Sequence, residues 1–218
     1  MQIKLEPGER TFIVGSTGSG KTYFARRLLW NAKNLVVLDV KHGFTWSDMK
    51  GANTGASPYD VVYRTIPELL TWSGKGKPAI FQPDFADIKN GIVDAFFKLC
   101  WEWKTPLVYC DEILDLAPNG RMPFWFEKVI KQGRQRGITC VFGTQRPKRI
   151  PLECITESQH YFIGRLALSD DRERMAECTF REVKDIRVPK YEFLYANDEI
   201  SKPVIVKADE LVVRRKHG

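Results

Sequence analysis

The densest chemistry in the sequence lies in eight consecutive residues, Gly15-Ser16-Thr17-Gly18-Ser19-Gly20-Lys21-Thr22, which follow the apolar run Phe12-Ile13-Val14. A nucleotide polyphosphate carries dense negative charge, so its site needs many donors converging without side-chain bulk, and glycines at 15, 18 and 20 permit that backbone approach. A helix starting at Lys21 aims the positive end of its dipole at the same anion. Lys21 supplies a point charge to the outer phosphates, and the Thr22 hydroxyl suits a Mg²⁺ ion bridging the β- and γ-phosphates. The full Gly-x-x-x-x-Gly-Lys-Thr pattern, with a strand before it and a helix after it, is a Walker A loop. It makes Gly15, Ser16, Thr17, Gly18, Ser19, Gly20, Lys21 and Thr22 the expected ATP-binding residues.

Two further apolar runs end in residues that complete a hydrolytic set. Leu107-Val108-Tyr109-Cys110 runs into Asp111-Glu112, the form of a Walker B strand, whose first acid organises Mg²⁺ and whose second activates water. Asp111 therefore joins Thr22 as a metal-organising residue, and Glu112 is the expected general base. Gln145 ends the next strand. If that strand lies beside the phosphate-loop strand, Gln145 faces the γ-phosphate or the attacking water and senses it without adding charge.

Such residues need a scaffold that brings several strand ends to one edge. Short apolar runs ending in polar or glycine-rich loops alternate with helix-like stretches, which predicts an α/β fold with a mostly parallel central sheet flanked by helices. Strands are expected at 12–14, 35–38, 61–64, 79–81, 107–110, 138–143, 161–163, 193–195 and 204–206. Helices are expected at 21–31, 66–72, 92–103, 122–132 and 170–178. Residues 41–57 read as a surface loop and 73–77 as a glycine-lysine turn. At 218 residues the chain fits one ATPase domain, with its core over about 9–178 and a strand-rich C-terminal extension over 179–218.

The order and spacing of these pieces is similar to the FtsK/HerA superfamily of DNA-pumping ATPases. The resemblance is carried by Gly15 to Thr22, by the strand ending in Asp111-Glu112, by Gly133-Arg134-Gln135-Arg136-Gly137, and by Gly143-Thr144-Gln145-Arg146-Pro147, with Asp39-Val40-Lys41 resembling the family's second-strand ending. It runs from about residue 12 to about residue 177. Within the superfamily the compact size resembles the genome-packaging ATPases of tailless, internal-membrane-containing viruses. The resemblance implies a RecA-like (ASCE) P-loop fold, and a ring, usually a hexamer, with ATP between subunits and double-stranded DNA through the centre. A neighbouring subunit then supplies a cation in trans; Arg134 and Arg136 are the leading candidates and Arg146 the third. DNA contact is expected mainly at phosphates, from lysines and arginines of 41–57, of the turn at 74–77, and of the basic Arg214-Arg215-Lys216-His217, which also suits a capsid or membrane vertex protein, although a solvated tail fits it equally.

Composition sets bounds. Hydrophobic residues make up 43% and charged residues 28%, as in soluble globular proteins, and no apolar run is long enough to span a bilayer. The first residues lack the features of a secretory signal, which predicts host cytoplasm, or the virion if the packaging resemblance holds. The net charge of +7 favours an anionic partner, and the five scattered cysteines read as buried free thiols. Phe96, Trp103, Phe124 and Phe126 sit in apolar helical stretches and are expected in the core. Two other classes share the first motif. A small P-loop kinase needs no glutamate poised for water, and a nucleotide-switched phage morphogenesis protein of the Zot-like kind commonly carries a membrane anchor.

Overall fold

The structure is a computed structural model that describes residues 2–30, 32, 34–46, 61–72, 78–103, 107–117 and 120–215. In chain order its elements are β1 (Gln2–Leu5), β2 (Arg10–Val14), α1 (Lys21–Leu29), β3 (Leu35–Leu38), β4 (Val61–Tyr63), α2 (Ile66–Leu69), β5 (Ala79–Phe81), α3 (Phe85–Lys89), α4 (Ile92–Glu102), β6 (Leu107–Cys110) and α5 (Ile113–Leu116). There follow α6 (Phe124–Gln132), β7 (Thr139–Thr144), α7 (Glu153–Thr156), β8 (His160–Ile163), α8 (Ser169–Cys178), β9 (Glu192–Ala196), β10 (Val204–Lys207) and β11 (Val212–Arg215), with short 3-10 turns between some of them.

Among the described residues, nine strands form one sheet in the order β10-β9-β8-β2-β7-β6-β3-β5-β4. The seven from β8 to β4 run parallel; β9 pairs antiparallel with β8, and β10 antiparallel with β9. Strands buried on both faces need continuous apolar runs, and β2, β3, β5, β6 and β8 are buried at every position. Alternation along β2 divides the core: Phe12 and Val14 pack with Phe96, Phe97 and Phe126 of α4 and α6 on one face, and Ile13 packs with Phe24 and Leu28 of α1 on the other. Arg10, 1% exposed, donates to the Val129 carbonyl at 3.1 Å, which sets a cation at the C-terminal end of α6. The fold is thus α/β and RecA-like, a mostly parallel sheet with helices on both faces.

Three departures from the sequence reading have physical reasons. Phe124 is 65% exposed, because residues 124 and 126 lie about 200° apart on a helix and Phe126 takes the core side with Val129 and Ile130. The helix expected at 66–72 ends at Leu69. Arg214 and Arg215, read as the start of a basic tail, belong to β11, whose backbone pairs in parallel with β1 so that Lys4 faces Arg214 and Leu5 faces Arg215. Asn31, the part of the 41–57 loop beyond residue 46, the 73–77 turn, and Lys216 and His217 lie outside the described residues. All five cysteines are free, four of them buried, and burial pushes the Cys140 and Cys154 thiols up to about 12.

Candidate active site

Lys21, Thr22, Asp111, Glu112 and Gln145 meet at the edge where the parallel strands end. The register β2 to β7 puts Val14 beside Thr144, so Gln145 does stand next to the phosphate loop. There it accepts a 2.7 Å hydrogen bond from the Thr17 hydroxyl. β6 is not adjacent to β2; β7 separates them. Lys21 must therefore reach across β7 to Asp111, and it does so over Gly143, where a Cβ would lie 2.6 Å from the Asp111 carbonyl oxygen and 3.3 Å from Lys21 Nζ. A side chain at 143 would collide with the Asp111 carbonyl and crowd the end of the lysine.

The loop itself is shaped by backbone geometry. Gly20 holds φ +93, a left-handed conformation, immediately before α1 begins at Lys21. Ser16 is tied to the β8 end, its N–H and its hydroxyl each donating to the Arg165 carbonyl at 2.9 Å. Ser19 Oγ is buried against Gly15 and has no hydrogen-bond partner among the described residues. Lys21, 6% exposed, donates from Nζ to the Asp111 carbonyl at 2.9 Å and to Oδ1 at 3.0 Å. Thr22 Oγ1 lies 3.4 Å from the same Oδ1, and the Tyr109 hydroxyl makes a short bond to it. Burial alone would raise the Asp111 pKa; the Lys21 ammonium and the Tyr109 hydroxyl overcome it and hold the carboxyl below the usual carboxylate range.

Glu112 is 2% exposed and held from two sides. Its Oε1 accepts from the Thr144 hydroxyl at 2.6 Å and from the Gln145 N–H at 3.4 Å, while Oε2 accepts from Lys41 Nζ at 3.3 Å. Lys41 is aimed there by Asp39, whose buried carboxylate accepts the N–H groups of Lys41 at 3.3 Å and Phe44 at 2.7 Å and the Gln82 amide at 2.9 Å. Sequence reasoning grouped Lys41 with a DNA-facing loop and gave Thr144 no role of its own. Its signal for Lys41 was the Asp39-Val40-Lys41 resemblance, which marks the turn without saying where the ammonium goes.

Two of the three arginines sit apart from this cluster, while Arg146 follows Gln145 directly and its N–H donates to the Thr144 hydroxyl at 3.3 Å. Arg134 and Arg136 belong to the turn before β7, so a whole strand, roughly 17 Å at the usual rise, separates them from the phosphate-loop edge. Arg134 is exposed and has no side-chain hydrogen bond or ion pair among the described residues. The Arg136 guanidinium lies 4.4 Å from the centre of the Trp101 ring and donates to the Trp101 carbonyl at 3.4 Å. Arg146 is bound through Nε to Asp171 at 2.8 Å, a carboxylate 2% exposed. One residue at the loop had no sequence signal: Tyr191, whose N–H donates to the Ser19 carbonyl at 3.2 Å.

Fold and phosphate loop together define a RecA-like P-loop NTPase architecture. In fold the chain is similar to viral genome-packaging NTPases. The structure of the genome packaging NTPase B204 from Sulfolobus turreted icosahedral virus 2 in complex with AMPPCP superposes with a TM-score of 0.69 at 14% identity, covering 93% of this chain and 99% of that one. B204, the DNA-packaging ATPase from Sulfolobus turreted icosahedral virus, does so with a TM-score of 0.64 at 16% identity, covering 93% and 98%. In sequence the chain is 23% identical over 211 residues to Protein P9 of Pseudoalteromonas phage PM2, covering 90% of this chain and 88% of that protein. No family model matches the chain.

Proposed function

We propose that this protein is an ATP-hydrolysing double-stranded DNA translocase, the motor of a viral genome-packaging machine. The observation that carries the hydrolytic part is the convergence of Lys21, Asp111, Glu112 and Gln145 on one loop from three adjacent strands. The donor set fits a nucleotide with its ion: a nearly buried ammonium, left-handed glycines opening N–H groups to an anion, and two oxygens, Thr22 Oγ1 and Asp111 Oδ1, close enough to share one hard cation. Lys21 binds the outer phosphates. Thr22 and Asp111 would hold Mg²⁺, which when bound would neutralise negative charge developing on the phosphates. Glu112 takes the proton of the attacking water once Lys41 yields its oxygen, and Thr144 keeps the carboxylate oriented. Gln145 positions that water against the γ-phosphate.

The translocase part is supported by the fold likeness to packaging NTPases and by the +7 charge, which suits a partner read through its phosphates. Residues 1–218 act as one motor domain in a ring, a hexamer by the family resemblance, docked at a capsid or membrane vertex protein and so virion-associated. No helix among the described residues is long and apolar enough to cross a membrane. The test is ATP turnover with and without long duplex DNA, alongside particle size. DNA-stimulated turnover by a ring is expected, with Glu112→Gln still binding ATP while turnover falls about 10²–10⁴-fold. Turnover by a monomer that needs a small-molecule acceptor and ignores DNA overturns the proposal.

A further inference from the structure

We propose that Tyr191 is the platform on which the base of the bound nucleotide stacks, so that the C-terminal extension, and not the phosphate loop, selects a nucleoside over a bare polyphosphate; this rests on the nucleotide-binding reading above. Tyr191 is one of three non-glycine residues with positive φ among those described, at +68. For an aromatic L-residue that conformation is strained by about 1 kcal/mol or more, and such strain persists only where surrounding contacts enforce it. The enforcing contacts are to the phosphate loop. The Tyr191 N–H donates to the Ser19 carbonyl, and the ring lies against Gly20, where a Cβ would come within 2.8 Å of Tyr191 Cδ1.

Burial does not explain the arrangement, because Tyr191 is 57% exposed. A large ring is held in solvent beside an anion site at a backbone cost. Lys190 lies over it, with Nζ 4.6 Å from the ring centre, an exposed and flexible cover that an incoming base displaces.

The sheet order says which end of the nucleotide meets this ring. Asp111, Glu112 and Gln145 all lie on the β7 and β6 side of β2, so the γ-phosphate end points that way. The nucleoside end then points toward β8 and β9. Because β9 is antiparallel to β8, with Ile163 opposite Leu194, the residue just before β9 lies at the same edge as the phosphate loop. That residue is Tyr191. The extension is pinned in place from its far side, where Asp209 accepts from the Tyr23 hydroxyl at 2.7 Å and lies 3.6 Å from Arg27 Nε, both on α1.

A stacking face is common to every base, so Tyr191 favours purines for their larger area and does not separate adenine from guanine. The experiment measures binding of MgATP, MgGTP and inorganic tripolyphosphate to the full chain and to its Tyr191→Leu, Tyr191→Trp and Lys21→Ala variants, with thermal melts of each. Leucine keeps apolar bulk against Gly20 and the same backbone strain but offers no π face. Tyr191→Leu should weaken both nucleotides about tenfold while tripolyphosphate stays within about twofold, and Tyr191→Trp should bind nucleotides as the native protein does. Lys21→Ala should lose all three ligands. Equal losses of ATP and tripolyphosphate in Tyr191→Leu would reduce Tyr191 to a buttress for Gly20, and unchanged ATP binding would remove it from the site; either result overturns the platform alone. Failure of the native protein to bind any of the three takes the nucleotide reading down with it.

Discussion

Asp111 shows how one carboxylate is prepared for a metal and a phosphate before either arrives. Its Oδ1 collects the Lys21 ammonium, the Thr22 hydroxyl and the Tyr109 hydroxyl, and its own carbonyl takes a second bond from Lys21. Lys21 is 6% and Asp111 14% exposed at the side chain, so removing the negative partner leaves a nearly buried cation. Asp111→Asn should therefore cost about 3 kcal/mol at neutral pH, measured by denaturant melts of the nucleotide-free protein. The pH dependence follows from the lowered carboxyl pKa. A carboxylate with its folded pKa depressed contributes stability that is fully present above the unfolded value, about 3.9, and is lost as pH falls through the folded value. The stability gap between native protein and Asp111→Asn should accordingly be flat from pH 5 to 8 and close in strong acid. A gap that does not change below about pH 4 would show that the ion pair is not its source.

At the scale of elements, β7 decides the geometry, because it stands between the strand that carries the loop and the strand that carries the acids. Gly143 is the point of closest passage. Gly143→Ala puts a methyl 2.6 Å from the Asp111 carbonyl oxygen, a backbone atom of the residue that directly follows the last paired residue of β6, Cys110. The expected result is a destabilisation of about 1–3 kcal/mol. An ATP affinity about tenfold weaker should accompany it as Lys21 is displaced. Native melting and native affinity would show that β6 gives way more easily than its pairing suggests. The sequence identified β2, β3, β6 and β7 because strands covered on both faces must be continuous apolar runs, and glycine or acid at their ends marks the edge where chemistry sits. It could not identify the β1–β11 pair: Gln2–Leu5 and Val212–Arg215 are short and polar at alternate or terminal positions, and what makes them strands is their pairing across almost the whole chain and the burial of Ile3 and Leu5 in the α1-side core. Tyr191 was hidden for the same reason. Its conformation and neighbours come from a tertiary contact with Ser19 and Gly20, and no local pattern announces a left-handed tyrosine.

At the scale of the whole molecule, the placement of the arginines bears on whether one chain can complete its own site. Arg134 precedes β7 at the edge opposite the phosphate loop, so the length of the sheet keeps it from the γ-phosphate of its own subunit. Its side chain is exposed and uncommitted among the described residues, whereas Arg136 is engaged with Trp101 and Arg146 with Asp171. Of the three proposed trans arginines, Arg134 is thus the one that can act on a neighbour without first abandoning an internal partner. A cation supplied this way is worth about 10³–10⁵ in turnover, so Arg134→Ala alone and Lys21→Ala alone should each be nearly inactive with DNA present. Mixed in one ring they complement: an Arg134→Ala subunit keeps its phosphate loop, and a Lys21→Ala neighbour still offers Arg134. At equal proportions a quarter of the interfaces carry both, so turnover should recover to roughly a quarter of the native value if sites fire independently, and to less if they fire in sequence. Arg136→Ala should instead lower the melting temperature, by loss of its cation–π contact with Trp101, and should complement poorly. Turnover of Arg134→Ala at the native rate, or no recovery at any mixing ratio, would remove Arg134 as the trans cation and leave Arg136 and Arg146 to be tried by the same pairing with Lys21→Ala.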